Sequence, residues 1–85
     1  MTQEQILQQL CEIITVNFGI STEHITPDAA FRANLGMDSL DLVDMTFFIN
    51  KTFDINEDAS QYHDLVTVQD VVTFVHIRTK DNVSS

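Results

Sequence analysis

Asn34-Leu-Gly-Met-Asp-Ser-Leu-Asp-Leu-Val-Asp44 puts a serine directly after a glycine, a methionine and an aspartate, at the mouth of a strongly patterned helix. Gly36 lacks a Cβ and can turn the chain through positive φ. Asp38 is a predicted N-cap, its carboxylate accepting a backbone N–H. Ser39 then falls in the first helical turn, where unpaired N–H groups and the positive end of the helix dipole favour an anion. A serine that carries a phosphate is well mounted at such a point. From Ser39 to Phe53 the pattern is helical, with two apolar stripes. At about 100° per residue, Leu42, Met45, Ile49 and Phe53 share one side. Leu40, Val43 and Phe47 share nearly the opposite side, flanked by Asp44 and Lys51. One stripe suffices to join a small core. The second is read as a docking surface beside Ser39, with extra core as the plainer alternative.

Upstream, residues 19–37 make a long connection. Pro27 discourages helix at Thr26, and Ile20, Ile25, Phe31 and Leu35 recur as apolar plugs, so an ordered loop is expected. Residues 3–18 read as the first helix. Thr2 and Gln5 have capping-box spacing, Ile6, Leu10 and Ile13 with Leu7, Ile14 and Phe18 form its apolar face, and Gly19 is a natural stop. Downstream, residues 54–65 hold a turn and a short helix near Tyr62 and Leu65. Thr67 and Asp70 form a second capping box ahead of Val68, Val71, Val72 and Val75, whose spacing favours helix although β-branched residues suit strands. These readings give an all-α four-helix bundle, three main helices and one short, with a long first loop. Residues 1–78 form the single domain and 79–85 a frayed tail.

Eighty-five residues support one domain with a modest core and little room for a deep catalytic cleft. That favours a binding or carrier module over an enzyme. Thirteen acidic residues against four basic give a net charge of −9. Arg32, Lys51, Arg78 and Lys80 form no patch in sequence, so nucleic acid is excluded. An acidic surface suits basic protein partners. Cys11 is the single cysteine, which fits a reducing compartment. With neither a signal-peptide pattern nor a membrane-spanning run, a cytoplasmic monomer is expected. His24, His63 and His76 form no recognisable triad with Ser39, and no acidic or histidine spacing matches a metal site. No catalytic or metal-ligating residue is assigned.

Leu35-Gly-Met-Asp-Ser-Leu40 resembles the Asp-Ser-Leu motif of acyl carrier proteins. The resemblance extends over nearly the whole chain. It takes in the first helix ending at Gly19, the Phe31…Leu35-Gly36 approach, Phe53-Asp54 closing the second helix and Thr67-Val68 opening the last. It implies that Ser39 receives a covalent 4′-phosphopantetheine from coenzyme A through a phosphopantetheinyl transferase, and that the arm holds acyl groups as thioesters. Asp38 would present the serine. Leu40, Asp41, Val43, Asp44 and Phe47 would meet basic surfaces on acyl-loading and acyl-processing enzymes of ketosynthase, acyltransferase or ligase type. The implied setting is fatty acid, polyketide or a related specialised biosynthesis. An aminoacyl or peptidyl carrier, or an unmodified helical interaction module, is the alternative. Arg32, Phe47, Phe48, Glu57 and Tyr62 depart from the usual family pattern. Phe48 and Tyr62 are expected to reshape an internal cavity and so favour short or polar cargo.

Overall fold

A computed structural model describes the backbone of residues 2–83 and the side chains of residues 2–79. The main helices are α1 (Gln3–Phe18), α2 (Ser39–Phe53) and α3 (Val68–Val83). Short 3₁₀ turns at Thr22–His24 and Ala59–Tyr62 punctuate the connections. The architecture is the all-α bundle with a long first loop, the short fourth helix being the Ala59–Tyr62 turn.

Each main helix starts where its cap dictates. The Thr2 hydroxyl accepts from the Gln5 N–H at 3.1 Å, while the Gln5 side chain accepts from the Thr2 N–H at 2.9 Å. Gly19 ends α1 in the left-handed region at φ 69°, a conformation that costs glycine no Cβ clash. At α3, the Thr67 hydroxyl accepts from the Asp70 N–H at 3.2 Å. The Asp70 carboxylate in turn accepts from the N–H groups of Val66 and Thr67 at 3.0 and 3.1 Å. These bonds hold the Asp70 carboxyl below its ordinary pKa, the Thr67 N–H having the largest effect.

The core is one cluster. Ile6, Leu10 and Ile14 of α1 meet Met45 and Ile49 of α2 and Val68, Val71, Val72 and Val75 of α3, all buried. Helix wins over strand in α3 because only helical spacing turns Val68, Val71, Val72 and Val75 to one buried face, whereas a strand would split Val68 and Val72 from Val71 and Val75. A valine costs at most ~0.7 kcal/mol of helix propensity, whereas burying its side chain contributes roughly 1.5 kcal/mol or more. α1 packs against both α2 and α3.

The long loop is ordered by its apolar residues and by a strap to the start of α3. Ile25, Phe31 and Leu35 are buried as expected, joined by Ala29 and Met37. The Phe31 N–H donates to the Val66 carbonyl at 3.0 Å, the Val68 N–H to Ala29 at 3.0 Å, and the Gln69 N–H to Pro27 at 2.9 Å. Loop carbonyls thus take N–H groups of the first turn of α3 that have no partner within the helix.

Two local expectations change. The helix continues to Val83, through the stretch expected to fray from residue 79. Thr79 is buried and its hydroxyl donates to the Val75 carbonyl at 2.9 Å, which ties the last turns to the core-facing stripe. Ser84 and Ser85, the end of that expected tail, lie outside the described residues. Phe48 does not line the main groove. It makes an edge-on contact with Phe18 of α1 at 6.1 Å between ring centroids, and another with Phe47 at 5.8 Å.

Candidate functional site

The approach to Ser39 is a tight turn with buried anchors on both sides. Phe31 is 1% exposed and Met37 4%. The Met37 N–H donates to the Phe31 carbonyl at 2.9 Å, and Asn34 and Leu35 N–H groups donate to Ala30. The Asn34 side chain accepts from the Ala30 N–H at 2.7 Å. Gly36 then takes φ 67°, where an L side chain costs roughly 1–2 kcal/mol. A Cβ there would meet no atom within 4 Å, so the requirement lies in the backbone and not in the space.

Asp38 caps α2 as its sequence position predicts. Its Oδ1 accepts from the Asp41 N–H at 2.9 Å, and the Asp41 Oδ2 accepts from the Asp38 N–H at 3.2 Å. Both carboxylates are turned onto the helix end. Ser39 is the first helical residue and is exposed. Its Oγ accepts from the Arg32 guanidinium, with Nη2 at 2.6 Å. This contact was not legible in sequence, because no helical or strand periodicity joins positions seven apart across a turn.

The two stripes of α2 separate as their spacing requires. Met45, Ile49 and Phe53 are buried and Leu42 is half-buried. Leu40, Val43 and Phe47 remain 75%, 55% and 64% exposed, so extra core is not their role. Asp44 is exposed beside them and Asp41 is half-buried in its cap. Asp44 and the apolar stripe therefore share the outer face of one helix, directly after Ser39, with Asp41 at its capped end.

On the other flank of Ser39 lies a groove of about 400 Å³. Arg32 and Ser39 stand in its lining with Leu42, Val43, Thr46, Tyr62 and Leu65. Tyr62 forms one wall of this groove. A network not anticipated from sequence fixes it. The Tyr62 hydroxyl donates to Asn50 Oδ1 at 2.8 Å, and Asn50 Nδ2 donates to the Glu57 carbonyl at 2.8 Å. Glu57 pairs with Arg78 at 2.9 Å, and the Arg78 guanidinium lies 3.6 Å from the centre of the Phe74 ring. Phe74 packs against Tyr62 in a tilted arrangement, with centroids 4.8 Å apart and 50° between the ring planes. Burial, reinforced by the Glu57 charge and opposed by Arg78, pushes the Tyr62 phenol up to about 12. Glu57, one of the departures from the family pattern in the sequence, is held here by its ion pair with Arg78.

Comparison with known proteins agrees with this geometry. The family pattern described as "Phosphopantetheine attachment site" matches residues 8–75. An acyl carrier protein of Prochlorococcus marinus (strain MIT 9515) is 32% identical over 78 residues, covering 92% of this chain and 98% of that relative. One from Exiguobacterium sibiricum is 36% identical over 75 residues, covering 88% and 95%. One from Rubrobacter xylanophilus is 33% identical over 75 residues, covering 88% and 93%. The matches span the capped helices, the loop and the serine turn together, and the chain belongs to the acyl carrier protein family, whose members carry a covalent 4′-phosphopantetheine.

Proposed function

We propose that Ser39 is the attachment point of the 4′-phosphopantetheine arm and that the chain carries acyl groups between biosynthetic enzymes. One observation carries this reading. An exposed serine hydroxyl stands on a rigid helix start, between a groove on one flank and an exposed apolar face on the other. The residues fit the group. The Oγ is open to solvent, the N–H groups of Ser39 and Leu40 have no acceptor within the helix, and the Arg32 guanidinium is already at the hydroxyl. Attachment forms the bond from Oγ to phosphorus and breaks the P–O–P bridge of coenzyme A. The nucleotide half leaves with the bridging oxygen and the serine proton is released. The attached arm supplies a terminal thiol that holds acyl groups as thioesters.

Asp38 has a presenting role. Its carboxylate fixes the first turn of α2 and so fixes the direction of the Ser39 side chain. Leu40, Val43 and Phe47 dock the transferase and the acyl-loading and acyl-processing enzymes, while Asp41 and Asp44 steer basic surfaces toward the same face. Individual surface ion pairs contribute roughly 0–1 kcal/mol, so the acids orient while the apolar stripe holds.

The walls of the groove bear on the cargo. Leu42, Val43 and Leu65 offer apolar surface, which favours an acyl chain over an aminoacyl group whose ammonium would lose water there. A volume near the low end of the roughly 300–1,000 Å³ usual for ligand pockets, with Tyr62 as a fixed wall, favours short chains. Fatty acid, polyketide or a related specialised synthesis all use such cargo.

Intact mass after incubation with coenzyme A and a broad-specificity phosphopantetheinyl transferase tests the reading. One arm should add to the wild type and none to Ser39→Ala. A wild type that gains no mass, or an equal gain in Ser39→Ala, would overturn it.

A further inference from the structure

The contact between Arg32 and Ser39 has a chemistry of its own. Arg32 is one of four basic residues in a chain of net charge −9. Among the described residues, no carboxylate lies within 4.0 Å of its guanidinium. Its backbone is not free to wander, because Phe31 beside it is buried and bonded to the Val66 carbonyl. The guanidinium therefore starts from a fixed stem and ends at Ser39 Oγ, at 2.6 Å. Both groups stand in the lining of the groove.

Resting on the assignment of Ser39 above, we propose that Arg32 holds the phosphodiester of the attached arm and turns the arm over the groove. Esterification leaves Oγ a poorer acceptor and moves negative charge to the two free phosphoryl oxygens. A planar guanidinium meets such a pair of oxygens with two parallel N–H bonds. The acids nearest in sequence on the helix, Asp38 and Asp41, are committed to the cap and carry the same sign as the phosphodiester. Arg32 is the cation that offsets that repulsion. Because it stands in the groove lining, it draws the first atoms of the arm toward Leu42, Val43, Leu65 and Val66, away from the exposed face of Phe47. Arg32 is a positioning residue for the arm.

The test uses the full chain, unmodified and arm-bearing, as wild type, Arg32→Gln and Arg32→Lys. Intact mass first establishes that the arm is on each. Methyl spectra then compare the shifts that attachment causes at Val43, Leu65 and Val66, and relaxation of the arm's own amides reports its freedom. Because Arg32 is exposed, unmodified Arg32→Gln should match wild type away from the turn. In wild type, attachment should move the groove methyls and slow the arm. In Arg32→Gln the groove-resident fraction should fall roughly two- to five-fold, the range set by a surface ion pair, and Arg32→Lys should restore part of it. The wild-type effect should weaken with added salt. Equal methyl shifts and equal arm mobility in all three would overturn the clamp and leave the attachment intact. A wild type that accepts no arm would overturn both.

Discussion

Replacing Asn50 by alanine should release the far wall of the groove. The Asn50 side chain accepts from the Tyr62 hydroxyl at 2.8 Å and from the Glu57 N–H at 3.3 Å, and it donates to the Glu57 carbonyl at 2.8 Å. A hydrogen bond contributes roughly 0.5–1.5 kcal/mol net. The 3.3 Å contact counts least, and the two short ones count most because Tyr62 is only 8% exposed. The loss is about 2 kcal/mol, a large share of a stability on the order of 5 kcal/mol. In a domain of this size it lowers the melting temperature by about 8–16 °C. Urea and thermal melts followed by far-UV circular dichroism measure it, with Tyr62→Phe and the double variant completing a cycle. The two residues share one bond, so the double variant should fall short of the sum by about 0.5–1.5 kcal/mol. Amide exchange should quicken around residues 55–62 while α1 keeps its protection. A loss below about 0.5 kcal/mol, or strict additivity, would refute the claim that Asn50 holds this wall.

Gly36→Ala should cost about 1–2 kcal/mol from the left-handed backbone alone, read as a lower urea midpoint with an unchanged m-value, and the variant should still accept an arm. Phe47→Glu should leave stability within about 0.5 kcal/mol, since its ring is mostly exposed. It should lower kcat/KM for arm transfer, and an unchanged value would remove Phe47 from the docking face. Tyr62 is the single tyrosine, so near-ultraviolet absorbance isolates its titration. Burial pushes its pKa up to about 12, above the ordinary phenol value of 10.0. The neutral phenol therefore supports the fold fully below about pH 10, and that support is lost as pH rises toward 12, a loss absent from Tyr62→Phe. Asp70 runs the opposite way. Its lowered pKa gives stability that is present above the ordinary carboxylate value and lost as pH falls through the folded value. Asp70→Asn should flatten the acid side of the stability profile.

Local signals in the sequence were reliable where one residue type answers one backbone need. The boxes of Thr2 with Gln5 and Thr67 with Asp70, the stop at Gly19 and the cap at Asp38 all follow from side-chain oxygens or a missing Cβ. The opposed stripes of α2 were legible because the chain is too small to bury both. Contacts that join distant segments were not. Nothing periodic links Arg32 to Ser39, Asn50 to Glu57 and Tyr62, or Pro27 to Gln69. By spacing alone Phe48 lies nearer the core-facing stripe of α2, and only the packing of α1 on α2 sets it against Phe18. Thr79 reads as tail by composition, but its hydroxyl bonds back to Val75 and it stays within the helix. Asp54 closes α2 at φ 55°, where glycine is more usual, its N–H donating to the Asn50 carbonyl.

The strap between the loop and α3 couples two distant parts of the chain. Amides in the first turn of a helix normally exchange first, yet those of Val68 and Gln69 are held by the carbonyls of Ala29 and Pro27. The dependence runs both ways. The segment that carries Arg32 toward Ser39 gains its register from residues far downstream, in the last third of the chain. The serine turn itself is closed by local bonds between residues 30 and 41, while the loop ahead of it is held from residues 66–69. Loss of the residues after Thr67 would leave the carbonyls of Ala29 and Pro27 without these amides, just ahead of Phe31 and the serine turn.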